Sequence, residues 1–521
     1  MNEVCQEKTP AAATPLRSRL MRLATLAAII FIGVLFRFTL LAKIPNGLFC
    51  DEASAGYDAY SLLTMQRDRY GEFLPLFTRS FGDYPESSYR LITAPFIAIF
   101  GLNEFATRFT AALAGVLTVL VLYFLAKELF NKKVGLLAAG FLAIQPWHIQ
   151  FSRTAFNAIL FPLFFCLGLL FFNKALKKPP YLIVSAIMFF LSLYTYSPVR
   201  VFAPLFLVGL SIIYLRQLWD IRKETFIAAA IFLSLSVPLV MFWVTPHGMW
   251  RAHQLLCISL RKNALYYLSY FNPQFLFLKG DPNLRHCLLK MGHLYLFESI
   301  TVLTGLTGVL LGVRKKQHQV LLLWLVLFPI PAALTEPRHA IRSIIGAPLF
   351  SILSAYGIFT LASLFKSRRG KAIFIVTAVV AAAFSVLIFS KLYFLEYPKY
   401  SADAWQYGMR EAIAYAEKST YDSVVVSGDF LMPDVFILFY TKLPPLRYYL
   451  TLWNGVNNRI GKYNIAPVSE HFNFKGTCLF IIKPYEIEKM SRLNYVWDVK
   501  HVIKDPEGNE LIKLLEVRHI E

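Results

Sequence analysis

Charge is what this chain has least of. Only 16% of its 521 residues are Asp, Glu, Lys or Arg, where a soluble protein carries about a quarter. Acids are the scarcer sign, 32 against 53 lysines and arginines, giving a formal charge of +21. Such a balance can mark a nucleic-acid binder. Here the basic residues sit in short loops between apolar runs, which points to membrane topology and anionic lipid and away from nucleic acid. The six cysteines (Cys5, Cys50, Cys166, Cys257, Cys287, Cys478) show no metal-ligand spacing. Cys257 and Cys287 share one loop and are the pair placed to form a disulfide. There is no Gly-rich nucleotide fingerprint and no internal repeat. No small-residue cleavage site follows the first apolar run, so that run is not read as a cleaved signal.

Long apolar runs are abundant. Hydrophobic residues make up 56% of the chain and aromatics 16%, with mean hydropathy +0.51. Runs approaching 20 residues recur along most of the sequence, so the fold class is an α-helical polytopic membrane protein. The candidate spans are Leu20–Ala42, Thr107–Lys127, Val134–Trp147, Ala155–Asn173, Tyr181–Thr195, Val199–Leu215, Thr225–Val244, Leu294–Val313, Val320–Leu334, Ser343–Phe365 and Ala372–Leu392, about eleven in all. Arg17, Arg19 and Arg22 put the N-terminal tail (1–19) in the cytoplasm. Alternation then places Lys132-Lys133, Lys177-Lys178, Arg222-Lys223, Arg314-Lys315-Lys316 and Arg368-Arg369 on the same side. The odd number of spans sends everything past Leu392 outside.

The alternation holds only if Tyr89–Phe100 does not cross. A dozen residues of helix reach about 18 Å against a core of about 30 Å. That run and Ala53–Met65 are expected to be helices lying along the membrane in a long first exterior loop, 43–106. The loop opens with Leu48-Phe49-Cys50-Asp51-Glu52, two adjacent acids where the first span leaves the bilayer. A carboxylate there is costly unless it has water, a partner or work to do. The plain alternative is that both acids cap a surface helix.

The exterior side is also unusually rich in cations. The long loop 245–293 holds Arg251, Arg261, Lys262, Lys279, Arg285, His286 and Lys290, and a later turn reads Thr335-Glu336-Pro337-Arg338-His339-Ala340-Ile341-Arg342. Charge topology gives no reason for these residues, and arginine forks match phosphate oxygens. Residues 393–521 change character. An amphipathic helix is expected at Asp403–Lys418, strands at Ser423–Ser427 and Cys478–Lys483, and a helix at Leu431–Tyr440. Further elements are expected at Asn494–Ile503 and Glu510–Val517. They describe a small exterior α/β accessory domain.

The acidic pair Asp51-Glu52, a second acid at Asp83 in Phe81-Gly82-Asp83-Tyr84-Pro85, and Phe100-Gly101-Leu102-Asn103-Glu104-Phe105-Ala106-Thr107-Arg108 leading into the second span together resemble the GT-C glycosyltransferases. The branch is that of protein O-mannosyltransferases and lipid A aminoarabinose transferases. The likeness is clearest from Leu20 to Phe172. Where aminoarabinose transferases tend to follow the second acid with Lys, this chain has Tyr84.

The resemblance implies a membrane catalytic domain (20–392) that moves a sugar, with inversion, from a polyprenyl-phosphate donor to an acceptor. The acceptor class stays open among protein, lipid and polysaccharide. Asp51 is the expected base, with Glu52 and Asp83 orienting it or the acceptor. Arg285, His286, Arg338, His339 and Arg342 are the expected donor-phosphate ligands. Asp51, Glu52 and Asp83 could offer oxygens to a divalent cation. With the phosphate neutralised by arginines, no metal is expected. The cell membrane is the expected location. The alternative function is a transporter or flippase of lipid-linked glycans, whose marks would be charges deep within spans and paired halves.

Overall fold

The computed structural model describes residues 15–454, 458–468, 474, 476–491 and 495–519. Cys5 and the tail before Pro15 lie outside the described residues, as do the side chain of Arg17 and the whole of Asn494.

Helices occupy every expected span. Six are long and apolar enough to cross a membrane, including Ser18–Phe38, Glu104–Leu129, Asn157–Ala175, Arg222–Trp243 and Gly346–Leu364. A bent pair, Lys132–Ile144 and Pro146–Ser152, would make a seventh. Tyr181–Leu193, Val199–Ile213 and Glu298–Leu311 are shorter apolar helices. The protein is therefore a mainly helical, multi-pass membrane protein.

The bend has a local cause. Pro146 supplies no N–H, and it holds Gln145 extended (φ −66°, ψ 123°), so the helix breaks by 60°. The carbonyls stranded by the break are taken up by Arg37 of the first span. Its guanidinium donates to Leu142 at 3.0 Å and Ala143 at 3.0 Å, and lies 2.9 Å from His148 Nδ1. Arg153 does the same for the end of the first span, donating to the carbonyls of Phe36, Thr39 and Ile44. Neither arginine has a carboxylate partner among the described residues.

Residues 43–106, expected to form the first exterior loop, are folded. Their leading helix runs Cys50–Met65, three residues earlier than Ala53. Asp51 and Glu52 thus belong to its first turn, where the positive end of the helix favours acids. Short antiparallel bridges (Phe77 with Glu86, Ser80 with Asp83) fold the intervening chain, and a second helix, Ser88–Phe100, follows. The long loop 245–293 also contains helices, Pro246–Leu255 and Leu260–Ser269.

The C-terminal residues build one six-stranded sheet in the order β2-β3-β1-β4-β6-β5. Its strands are β1 (Val424–Ser427), β2 (Arg459–Ile460), β3 (Tyr463–Ala466), β4 (Thr477–Ile482), β5 (Tyr495–Lys504) and β6 (Glu510–His519). β1 runs parallel to β3 and β4, and the outer pairs are antiparallel. The helix expected from Asp403 begins only at Met409, because Gln406 (φ 53°) and Gly408 (φ 95°) turn the chain left-handed. The Pro445–Trp453 helix and strands β2 and β3 had no clear sequence signal.

This small domain packs against the Cys50–Met65 helix. A Cβ on Gly56 would lie 2.5 Å from Thr107 Oγ1 and 2.7 Å from the Phe439 ring, so only glycine lets the three segments meet. Tyr57 donates to the Leu443 carbonyl at 2.8 Å, and Gln406 accepts the Cys50 N–H at 2.9 Å.

The expected disulfide does not form. Cys257 and Cys287 are free. The Cys287 sulfur is buried between the carbonyls of Lys279 and Met291, at 3.3 and 3.1 Å, while the Cys257 backbone N–H is bonded to Leu334.

Candidate active site

The two adjacent acids have opposite surroundings. Glu52 is fully buried. Its carboxylate takes Arg108 Nε at 2.9 Å and Nη2 at 2.8 Å, and the backbone N–H groups of Ala155 at 2.8 Å and Phe49 at 3.2 Å. Arg108 spends its other donors on the carbonyls of Leu41, Pro45 and Gly47. The pair ties the first span, the first exterior loop and the turn at Ala155 together, leaving Glu52 no free lone pair for a ligand. Successive helix residues point about 100° apart, so Asp51 faces elsewhere, into a cavity of about 500 Å³.

That cavity brings together six residues expected from the sequence: Asp51, Asp83, Arg285, His286, His339 and Arg342. They come from four separate segments of the chain. Arg338 is not among them. It is exposed, has its backbone at φ 54°, and is not part of the cavity lining.

Most charges around the cavity are already paired. Asp83 accepts the Tyr84 N–H at 2.8 Å and pairs with Arg251. Glu86 pairs with Arg200 at 3.1 Å, Arg90 with the buried Asp58 at 3.1 Å, and Arg342 with Glu336 at 2.6 Å. Two charged groups are exceptions among the described residues. Asp51 makes no ion pair, and neither does Arg285. The guanidinium of Arg285 lies 3.9 Å from the centre of the Phe49 ring and donates to Asn283 at 3.3 Å. Stacking on an aromatic face steadies an arginine without using up its donors.

Asp51 is exposed to the cavity, and the protein walls around it desolvate its carboxylate and raise its pKa; the positive charges of Arg251, Arg285 and Arg90 act against the rise. Across the cavity, His286 Nδ1 is 2.8 Å from Asp281 Oδ2, and the same oxygen accepts the Ala340 N–H at 2.7 Å. Burial would raise the Asp281 pKa, but these hydrogen bonds and the nearby imidazoles bring it down to about 2. Burial and the neighbouring His286 and Arg342 push His339 well below the usual histidine range.

Among the described residues, one group could hold a metal. Ligand atoms of Asp281, His286 and His339 lie within 4.8 Å of one another. Two imidazoles and a carboxylate suit a divalent transition ion, and His339 Nδ1 is buried without a hydrogen-bond partner. This is a different set from Asp51, Glu52 and Asp83, the trio that the sequence suggested for such a role.

Several lining residues carried no assigned role in the sequence: Glu86, Arg90, Tyr196, Trp250, Arg251 and Gln254. Only Arg251 stood out there, as one exterior arginine among several. Its partner, Asp83, lies 168 residues away, and no local spacing signals that contact.

Residues 88–245 match the family profile of dolichyl-phosphate-mannose-protein mannosyltransferase. The fold is similar to that of ArnT from Cupriavidus metallidurans bound to undecaprenyl phosphate, with a TM-score of 0.60 at 12% identity, covering 96% of this chain and 98% of that one. It is also similar to the oligosaccharyltransferase of Archaeoglobus fulgidus tethered to an acceptor peptide, with a TM-score of 0.52 at 14% identity, covering 95% of this chain and 74% of that one. The same archaeal enzyme, AglB, in complex with an inhibitory peptide and a dolichol-phosphate scores 0.50 at 13% identity, with 95% and 74% covered. A search of curated protein sequences finds no match. The chain shares its fold with ArnT and with the archaeal oligosaccharyltransferase, in line with the resemblance in its sequence.

Proposed function

We propose that this protein transfers a sugar from a polyprenyl-phosphate donor to an acceptor at the exterior membrane face, with inversion at the anomeric carbon. One observation carries the reading: Asp51 and Arg285, the two charged lining groups without an ionic partner among the described residues, face the same cavity. One is a carboxylate of raised pKa and the other a steadied cation, and the transfer needs both.

Asp51 takes the proton of the acceptor hydroxyl as its oxygen forms a bond to the anomeric carbon. The bond from that carbon to the phosphate oxygen breaks, and the electron pair leaves with the polyprenyl phosphate. Arg285, with Arg342 and His286 on the same wall, stabilises the charge that gathers on the departing phosphate. A single free carboxylate suits one displacement, and therefore inversion; retention would need a second carboxyl group free to act as nucleophile. Asp83 is held by Arg251 and is assigned to orienting the acceptor. Glu52 acts only by fixing the helix that carries Asp51. The relatives bound to undecaprenyl phosphate, dolichol-phosphate or acceptor peptide support this class of donor and acceptor.

The reading places the N-terminus in the cytoplasm, and Asp51 and residues 393–521 outside, in the cell membrane. Transport has no specific observation in its favour. The buried arginines Arg37 and Arg153 both donate through their terminal nitrogens to backbone carbonyls, which ties them to the helix ends.

The test is to incubate purified protein with a panel of polyprenyl-phosphate sugars and follow released polyprenyl phosphate. Release by wild type and its loss in Asp51→Asn is the expected result. Release that is equal in both proteins rules out the proposed base.

A further inference from the structure

A second cavity, of about 710 Å³, lies at the opposite end of the spanning helices. The Glu104–Leu129 helix begins beside the Glu52–Arg108 pair, and its last turn reaches this cavity at Lys127. Its 26 residues span about 39 Å at about 1.5 Å per residue. The two cavities are thus a membrane's thickness apart and share no lining residue.

Four cations line the second cavity: Arg22 from the first span, Lys127 from the second, and Lys132 and Lys133 from the third. None of the four makes an ion pair among the described residues. The nearest acid in sequence, Glu128, is engaged by Lys177 at 3.1 Å. The rest of the wall is apolar, with Leu136 and a Phe359 ring that is 40% exposed.

The positive-inside tendency explains cations on this side of the membrane. It does not explain four of them converging from three helices on one apolar-walled cleft, where each repels the others. Two are also placed against their own helix. Lys132 and Lys133 open the Lys132–Ile144 helix, whose first turn has no acid, and the positive end of a helix disfavours cations. Asn131 already caps the Lys133 and Val134 N–H groups, so the unmet demand is for negative charge rather than for another cap.

We infer that this cleft binds the phosphate of an anionic phospholipid, with the four cations around the headgroup and the acyl chains against Leu136 and Phe359. A phosphodiester relieves the mutual repulsion, and lipid tails satisfy the apolar wall in a way a free anion cannot. The inference is independent of the chemistry proposed for the exterior cavity.

The test uses the full chain, purified and delipidated in detergent, with phosphatidylglycerol, phosphatidylcholine or inorganic phosphate as probes. Binding is read by native mass spectrometry and by melting temperature. Wild type should retain phosphatidylglycerol at least about tenfold better than phosphatidylcholine, the scale expected for several basic residues near a headgroup. Combining Arg22→Gln, Lys127→Gln, Lys132→Gln and Lys133→Gln should abolish that preference. Lys132→Glu alone, at an exposed position, should reduce it and guards against a misfolded quadruple variant. Neutralising Arg368, Arg369 and Lys371 instead should leave it intact. Equal retention of both lipids by wild type overturns the inference, as does an equal loss on neutralising the control cluster. Stabilisation by inorganic phosphate matching that by phosphatidylglycerol assigns a free anion and overturns the lipid.

Discussion

Two groups of arginines lie near the C-terminal end of the first span, and they behave differently. Arg37 and Arg153 give their terminal nitrogens to backbone carbonyls where helices end or break. Arg37 also bonds Ser152 and His148, and only the Arg153 Nε is left without a partner among the described residues. Arg251, Arg285 and Arg342 line a cavity that also holds carboxylates. Both groups are cationic; Arg37, Arg153 and Arg342 are buried, while Arg251 and Arg285 are partly exposed at the cavity. The difference is whether the donors are already spent, and a cation can serve a substrate only with donors it has not committed. By that measure Arg285 is the most available, Arg251 and Arg342 are held by acids they would have to release, and Arg37 and Arg153 are structural.

The comparison is sharpest at Asp51. Replacing it with Asn keeps its shape and removes the proton acceptor, so turnover should fall about 100-fold or more, with donor affinity nearly unchanged. Kinetics and donor binding on purified protein check this. Next comes the contrast between arginines. Arg285→Gln should lower kcat/KM by about 10- to 100-fold, the worth of a hydrogen bond to a charged group, without loss of melting temperature. Arg37→Gln should lower the melting temperature and leave turnover per folded molecule near wild type. If the two variants show the same pattern, the distinction between spent and unspent donors fails.

Glu52→Gln tests the same idea with acids. It strands Arg108 in a buried site, at a cost of about 3–5 kcal/mol of stability, while the surviving folded fraction turns over normally. A fourth expectation concerns pH. The base must be ionised to act, and desolvation raises the Asp51 pKa, so activity should fall with acidification at a pH above the usual carboxylate value of about 4. Removing the positive charge of Arg285 should move that limb to still higher pH. The smallest effect belongs to Arg338→Gln. Exposed and outside the cavity lining, Arg338 should change stability by no more than about 0.5 kcal/mol and leave kcat/KM unaltered.

What the sequence made legible follows from the range of each interaction. Apolar runs placed the helices because burial in lipid is a property of the run itself. Asp51, Asp83, Arg285, His286, His339 and Arg342 could be picked out because charges on the exterior side of such a protein need a reason. Their partners could not. Nothing local distinguishes Glu52 from Asp51, and it took Arg108, 56 positions on, to separate a tether from a cavity-facing carboxylate. Asp281 was visible only as part of a turn until His339 was brought beside it. The Cys257–Cys287 pairing failed for the same reason, since sharing a loop does not bring two sulfurs together.

The hydrogen bond from the Cys50 N–H to Gln406 has a consequence for the protein during its own synthesis. The helix bearing Asp51 is made early, yet the group that receives its first N–H, and the Phe439 ring that packs on Gly56, come more than 350 residues later. A ribosome that has inserted only the spans has therefore made a cavity whose carboxylate helix lacks one wall. On the proposed function, chains stalled before Gln406 should reach the membrane without transferring sugar, because that wall is supplied last.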